Sequence, residues 1–145
     1  MPVATKPSLT LKRHLKAPIA KVFQALTRPE ALKQWFGPSD SYTISEAKVD
    51  LRVGGAYRIV MVEESGAEHR VGGKYREIVP NERLVYSWAW ESTPEVESLV
   101  TITLKAAGQE TDLTLRHEQL ADAKARDMHR SGWTGTLVRL ERYLG

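Results

Sequence analysis

The stretch Thr111–Gly145, TDLTLRHEQLADAKARDMHRSGWTGTLVRLERYLG, contains a change of period that decides the fold. Leu113, Leu115 and His117 alternate with polar neighbours, the two-residue repeat of a half-buried strand. Asp122 then stands where a helix N-cap is needed. Beyond it Met128, Trp133, Leu137, Leu140 and Leu144 fall on one stripe of a helix of about 22 residues, about 33 Å long. A strand that runs into one long amphipathic helix needs a sheet to cover the helix stripe. Gly132 and Gly135 interrupt that helix at about 1 kcal/mol each against alanine. Close approach to the sheet is the favoured reason, with room for something bound beneath as the other.

The sheet lies upstream. Strands are expected near 43–51, 56–63, 69–79, 83–91, 98–105 and 111–118, with clean alternation at Leu84, Tyr86, Trp88 and Trp90 and at Val100, Ile102 and Leu104. Val53-Gly54-Gly55-Ala56 and Pro80-Asn81 mark tight turns between them. Near the start, Leu9, Leu11 and Leu15 oppose Thr10, Lys12 and His14, a first strand in which Arg13 falls on the apolar face. Pro18 opens a helix with Ile19, Val22, Phe23 and Leu26 on one stripe. Pro29 ends that helix and starts a second short one through Leu32 to Trp35, which Gly37-Pro38 stops. The order predicts an α+β domain: a curved antiparallel sheet of about six or seven strands around a long C-terminal helix, with two short helices after the first strand. Leu11, Phe23, Leu104, Leu115, Leu137 and Leu140 should share one core. Residues 1–7, with two prolines, are expected to be flexible, and residues 8–145 to form a single domain.

Composition narrows the chemistry. The chain has 145 residues and no cysteine, so disulfides and thiolate metal sites are excluded. Its four histidines, 14, 69, 117 and 129, show no ligand spacing, and neither a metal nor a cofactor is expected. The net charge is +3, with Lys6, Lys12, Arg13, Lys16, Lys21, Arg28 and Lys33 set against Glu30 alone. No aromatic residues interleave with these charges, so they read as a solvated surface rather than a nucleic-acid site. No apolar run approaches the roughly 20 residues that span a bilayer, and the N-terminus lacks a secretory pattern. A cytoplasmic protein without membrane insertion, monomeric or homodimeric, is expected.

His117-Glu118-Gln119-Leu120-Ala121 begins like a zinc-protease motif, but alanine stands at the fifth position and the stretch ends a strand. Nucleophile elbow, phosphate loop and dinucleotide fingerprint are all missing. His117 shares a face with Leu113 and Leu115, so it should point inward, either as a satisfied core histidine or as a polar anchor or general base. Arg13 should reach the sheet edge or pair with Glu77, which alternation places on the Tyr75 face. Trp35, Phe36, Tyr57, Tyr75, Tyr86, Trp88, Trp90 and Trp133 fall on or beside inward faces. Most must be core, yet apolar walls with a few polar tips also compose a pocket.

Several stretches, in order, carry a resemblance: Ala17-Pro18 with Val22-Phe23; Trp35-Phe36-Gly37-Pro38; Asp50-Leu51-Arg52-Val53-Gly54-Gly55; Gly73-Lys74-Tyr75-Arg76-Glu77-Ile78; Glu82-Arg83-Leu84-Val85-Tyr86-Ser87-Trp88; and His117-Glu118 followed by Gly132-Trp133. With these the chain resembles the heat shock protein 90 ATPase activator homologue family, within the START-related, polyketide-cyclase-like (SRPBCC) superfamily. The resemblance implies a helix-grip fold with an apolar cavity between sheet and C-terminal helix. Members include chaperone activators, lipid and polyketide binders and cyclases. The leading expectation is a module that binds a small apolar or aromatic molecule. Its candidate ligand-binding residues are Trp35, Phe36, Tyr57, Met61, Tyr75, Trp88, His117, Met128, Trp133 and Leu137. The alternatives are a chaperone-interacting protein, for which this single domain lacks the additional N-terminal domain of full-length co-chaperones, and a cyclase or hydrolase-like enzyme, for which no paired acid and base is evident.

Overall fold

The computed structural model describes residues 6–145. The elements follow the order β1 (Leu9–Leu15), α1 (Ile19–Thr27), α2 (Pro29–Trp35), β2 (Tyr42–Val49), β3 (Ala56–Glu63), β4 (Glu68–Val79), β5 (Arg83–Trp90), β6 (Ser98–Ala107), β7 (Glu110–Glu118) and α3 (Ala123–Leu144). The strands form one antiparallel sheet in the order β1-β7-β6-β5-β4-β3-β2. Neighbours in sequence are therefore neighbours in space, except that β1 pairs with β7. The expected flexible segment 1–7 lies largely outside the described residues; within them, the Pro7 carbonyl accepts from the Leu120 amide at 3.1 Å.

Alternation delivers the core as read. Leu11, Phe23, Leu104, Leu115, Leu137 and Leu140 belong to one buried cluster, together with Trp35, Phe36, Tyr57, Tyr75, Tyr86, Trp88 and Trp133. Both turn signals act through backbone conformation: Gly54 has φ 85° and Asn81 φ 62°, values that these residue types tolerate. Asp122 caps α3, accepting from the Ala125 amide at 2.8 Å. Pro29 occupies the first turn of α2, while Pro18 sits one residue outside α1, at its N-cap.

Four local readings need correction. Met128 does not join the buried stripe of α3; it is 58% exposed, and the buried residues of the helix begin at Trp133. Glu77 does not share a face with Tyr75. A β-bulge between them advances the register by one, so Glu77 opposes Val85 and Ile78 takes the core side opposite Leu84. Glu77 accordingly pairs with Arg83 at 3.0 Å, and Arg13, on the edge strand β1, reaches Glu141 of α3 at 3.6 Å. Finally, the two glycines of α3 do not both mark close packing. A Cβ on Gly135 would lie 1.9 Å from the Pro38 carbonyl oxygen, whereas one on Gly132 would meet nothing within 4 Å. The close approach is to the loop after α2, not to the sheet.

That loop is clamped. Arg139 donates to the Phe36 carbonyl at 2.8 Å, and Arg142 holds both carboxylate oxygens of Asp40 at 2.9 and 3.1 Å. The Arg142 hydrogen bonds keep the Asp40 carboxyl below the usual range. The clamp fixes Phe36 and Pro38 beside the middle of α3, where they form one wall of a cleft.

Candidate functional site

The cleft opens between the N-terminal half of α3, the loop after α2 and the ends of β3, β4 and β5, with a volume of about 850 Å³. Its floor is apolar: Phe36, Met61, Trp88 and Trp133 from the core, with Trp90 and Met128 above them. The rings interlock, Trp88 and Trp133 at 5.1 Å between centroids, Phe36 edge-on to Trp133 at 6.0 Å and Trp90 edge-on to Trp88 at 5.6 Å. Polar residues hold the rim, among them Glu68, His69, Arg70, Glu91 and Ser131.

Beneath the floor runs a sealed hydrogen-bond chain. Trp133 Nε1 donates to His117 Nδ1 at 3.0 Å, so the imidazole proton sits on Nε2, which reaches Ser98 Oγ at 2.7 Å. Ser98 Oγ in turn donates to the Trp88 carbonyl at 3.2 Å. His117 is fully buried, and that burial, reinforced by nearby His129, pushes its pKa down to about 3. His129 is held in the opposite tautomer: Nδ1 donates to the Ala125 carbonyl at 2.7 Å and Nε2 accepts from Trp90 Nε1 at 3.2 Å. Its pKa is also lowered by burial. Neither buried imidazole keeps a ring nitrogen free. Among the described residues, the buried side-chain polar atom without a protein partner is Trp88 Nε1.

A pH dependence follows. A histidine that is harder to protonate when folded adds stability above the ordinary value of 6.5 and withdraws it as pH falls toward about 3. One such group costs about 1.4 kcal/mol per pH unit across that window, so about 2–3 kcal/mol should be gone near pH 4.5. His14 acts with the opposite sign: exposed on β1 and raised by Asp112 and Glu110, it favours the folded state at lower pH. Denaturant titrations at several pH values should show a shallower acid loss in His117→Gln than in the native protein. Parallel profiles would show that His117 is not the group responsible.

The structure divides the ten candidate residues. Phe36, Met61, Trp88, Met128 and Trp133 line the cleft, with Met128 at its exposed edge. Trp35, Tyr57, Tyr75 and Leu137 line instead a space of about 30 Å³ deeper in the core, to which Phe36, Trp88 and Trp133 also contribute. That space has room for little more than a water molecule. There Tyr57 donates to the Ser87 carbonyl at 2.6 Å and packs against Tyr86 at 5.1 Å. His117 borders neither space. Sequence reasoning missed Tyr42, His69, Arg70 and His129 as a group, and it placed Trp90 among the inward aromatics without carrying it into the ligand set. Only Trp90 carried a usable signal, its place in the β5 alternation; the others come from separate elements whose meeting is a matter of topology.

The rim also holds a small polar cluster. Tyr42 donates to Glu63 Oε1 at 2.7 Å, and His69 Nε2 meets the same oxygen at 2.9 Å. The Tyr42, His69 and Ser65 hydrogen bonds keep the Glu63 carboxyl below the usual range. Among the described residues no group of three or more His, Asp or Glu side chains is arranged to hold a metal ion. No helix among them is long and apolar enough to cross a membrane.

Against this geometry, the family described as Activator of Hsp90 ATPase homolog 1-like protein matches residues 16–145. The chain belongs to that family. Among solved structures, a Chromobacterium violaceum protein is similar at 31% identity and TM-score 0.86, covering 94% of this chain and 96% of its own. A Rhizobium leguminosarum protein is similar at 32% identity and TM-score 0.79, covering 95% and 93%. The AHSA1 protein of Silicibacter pomeroyi has 25% identity and TM-score 0.85, covering 95% and 97%. Among curated proteins nothing matches. The helix-grip architecture of this family member thus agrees with its sequence resemblance.

Proposed function

We propose that this family member binds a small, largely apolar or aromatic molecule in the cleft beside the N-terminal half of α3. The observation that carries the reading is the cleft itself: about 850 Å³, floored by Phe36, Met61, Trp88, Trp90, Met128 and Trp133. A monomeric surface rarely keeps so many large apolar side chains around one concavity unless something covers them. A bicyclic ligand would lose about 200–300 Å² to burial, a gross gain of about 5–8 kcal/mol. Lost motional freedom offsets much of this, which places affinity in the micromolar range.

The test is titration with a panel of bicyclic and tricyclic aromatic compounds, read by tryptophan fluorescence. Saturable quenching at micromolar concentration is expected, because Trp88, Trp90 and Trp133 all border the cleft. Trp90→Leu should change the signal with little loss of stability, since that indole is only partly buried. If no panel member saturates, the aromatic floor is core packing and the reading fails.

The family match favours a second reading, contact with a chaperone ATPase. Stimulation of purified chaperone ATP turnover by several-fold at low micromolar protein would make it the better one.

A further inference from the structure

We propose that the cleft selects aromatic molecules carrying a weakly acidic hydroxyl, phenolic or enolic, and that His69 accepts the hydrogen bond through Nδ1. The inference rests on the cleft-binding reading and names the chemistry of its ligand. Polar groups at the cleft are mostly engaged. The two nitrogens of His129 face Ala125 and Trp90, and those of His117 face Trp133 and Ser98. Arg70 is spent on Glu68 at 2.6 Å, Arg58 holds Glu91 at 2.6 Å, and the Thr136 hydroxyl donates to the Gly132 carbonyl at 2.8 Å. In the floor the Trp88 indole N–H is a donor without a protein partner, and at the rim His69 uses only one of its nitrogens.

Its tautomer follows from its partner. An ionised carboxylate can only accept, so the neutral ring facing Glu63 Oε1 at 2.9 Å carries its proton on Nε2. Nδ1 is then a bare lone pair without a protein hydrogen-bond partner among the described residues. The ring is well oriented: Glu63 is itself tied to Tyr42 at 2.7 Å and to Ser65 at 3.1 Å, and the Tyr42 ring packs against His69 at 5.9 Å. The His69 side chain is 41% exposed and borders the cleft, so the acceptor can be reached. His69 sits opposite Met61 in the β3–β4 register, and Met61 belongs to the apolar floor. A flat ring laid on that floor therefore brings a peripheral hydroxyl beside His69. A free acceptor at the rim favours a donor on the ligand; an ether there would leave it unpaired, and an anion would repel its neighbours Glu63 and Glu68.

The experiment compares 2-naphthol, 2-methoxynaphthalene and 2-naphthoate by fluorescence titration of the 145-residue chain. The ether is the larger and more apolar molecule, so burial alone favours it. The proposal expects the opposite order: 2-naphthol should bind about three- to tenfold tighter than the ether, the worth of one hydrogen bond. In His69→Phe, which keeps a ring and removes the acceptor, that preference should fall to about one while both compounds still bind. Equal saturation of native protein by naphthol and ether would overturn the role of His69 and leave cleft binding standing. Tightest binding of 2-naphthoate would overturn it in favour of Arg70 as the reader of an anion. A preference for naphthol that persists in His69→Phe would place the acceptor elsewhere. If none of the three saturates, the cleft-binding reading fails and this inference fails with it.

Discussion

Gly135→Ala is expected to destabilise the protein by about 2 kcal/mol or more, while Gly132→Ala, three residues earlier in the same helix, is expected to stabilise it by up to about 1 kcal/mol. Helix propensity favours alanine equally at both positions, so the difference in sign must come from the surroundings. A Cβ on Gly135 would stand 1.9 Å from the Pro38 carbonyl oxygen and 2.9 Å from its carbon. Those are backbone atoms, in a loop held by Arg139 on Phe36 and by Arg142 on Asp40. Relief requires the loop and α3 to separate by more than 1 Å, roughly, which strains or breaks that clamp and opens the wall that Phe36 gives to the cleft. For a domain of this size the penalty corresponds to a Tm lower by about 5 °C or more. At Gly132 the methyl group enters free space, and only the gain in helix propensity is felt. Thermal melts of the two variants decide the matter. Equal shifts, or a stabilised Gly135→Ala, would mean that loop and helix are not in contact as described.

Leu140→Ala is expected to cost about 2–5 kcal/mol, the range for truncating a fully buried leucine. Leu140 has no solvent exposure and lies where α3 crosses the sheet, in one cluster with Leu11, Leu115 and Leu137. The truncation removes three carbons from a site walled by two elements that cannot collapse independently, so a cavity remains. Chemical denaturation at neutral pH measures it, with the m-value as a check on two-state behaviour. A loss below about 0.5 kcal/mol would be the behaviour of an exposed helix position and would remove the docking of α3 from the account. Val138, on the outer face of the same turn, gives the contrast: at 43% exposure its truncation should stay within about 0.5 kcal/mol.

The two variants separate what could be read along the chain from what could not. The spacing of Leu140 from Trp133, Leu137 and Leu144 places it inward, because a helix stripe repeats at a fixed angle whatever lies beneath it. The strand faces of β5, β6 and β7 were legible for the same reason at a period of two. Gly135 gave a weaker signal. A glycine in a helix marks a possible close approach but does not name the neighbour, and the neighbour here is Pro38, about a hundred residues away along the chain. Gly132 carried the same letter with no such contact.

The candidate site divides along the same line. The aromatic floor was legible, since Phe36, Met61, Trp88 and Trp133 sit on inward faces. His117 was also read as inward, but its role depended on whether Trp133 Nε1 and Ser98 Oγ would meet its two nitrogens, and they do, at 3.0 and 2.7 Å. Once both are engaged the residue is a structural joint between α3, β6 and β7. His69 shows the converse: nothing in its neighbourhood of the sequence singles it out, and its importance rests on Glu63 and Tyr42 arriving from β3 and β2.

Sequence by itself therefore determined the elements, their order, the buried face of most of them and the absence of cysteine chemistry. These are local properties, set by backbone sterics and by the burial of apolar side chains at fixed periods. Tertiary structure alone decided the bulge that turns Glu77 away from Tyr75, the clamp that holds the Phe36 loop on α3, and the division of the aromatics between a wide cleft and a narrow space below it. It also decided which imidazole is sealed and which keeps a free nitrogen. The physical reason is that periodicity specifies direction, whereas hydrogen-bond partners and free volume depend on distances between residues far apart in the chain, and a shift of one residue in register or about 1 Å in packing changes both.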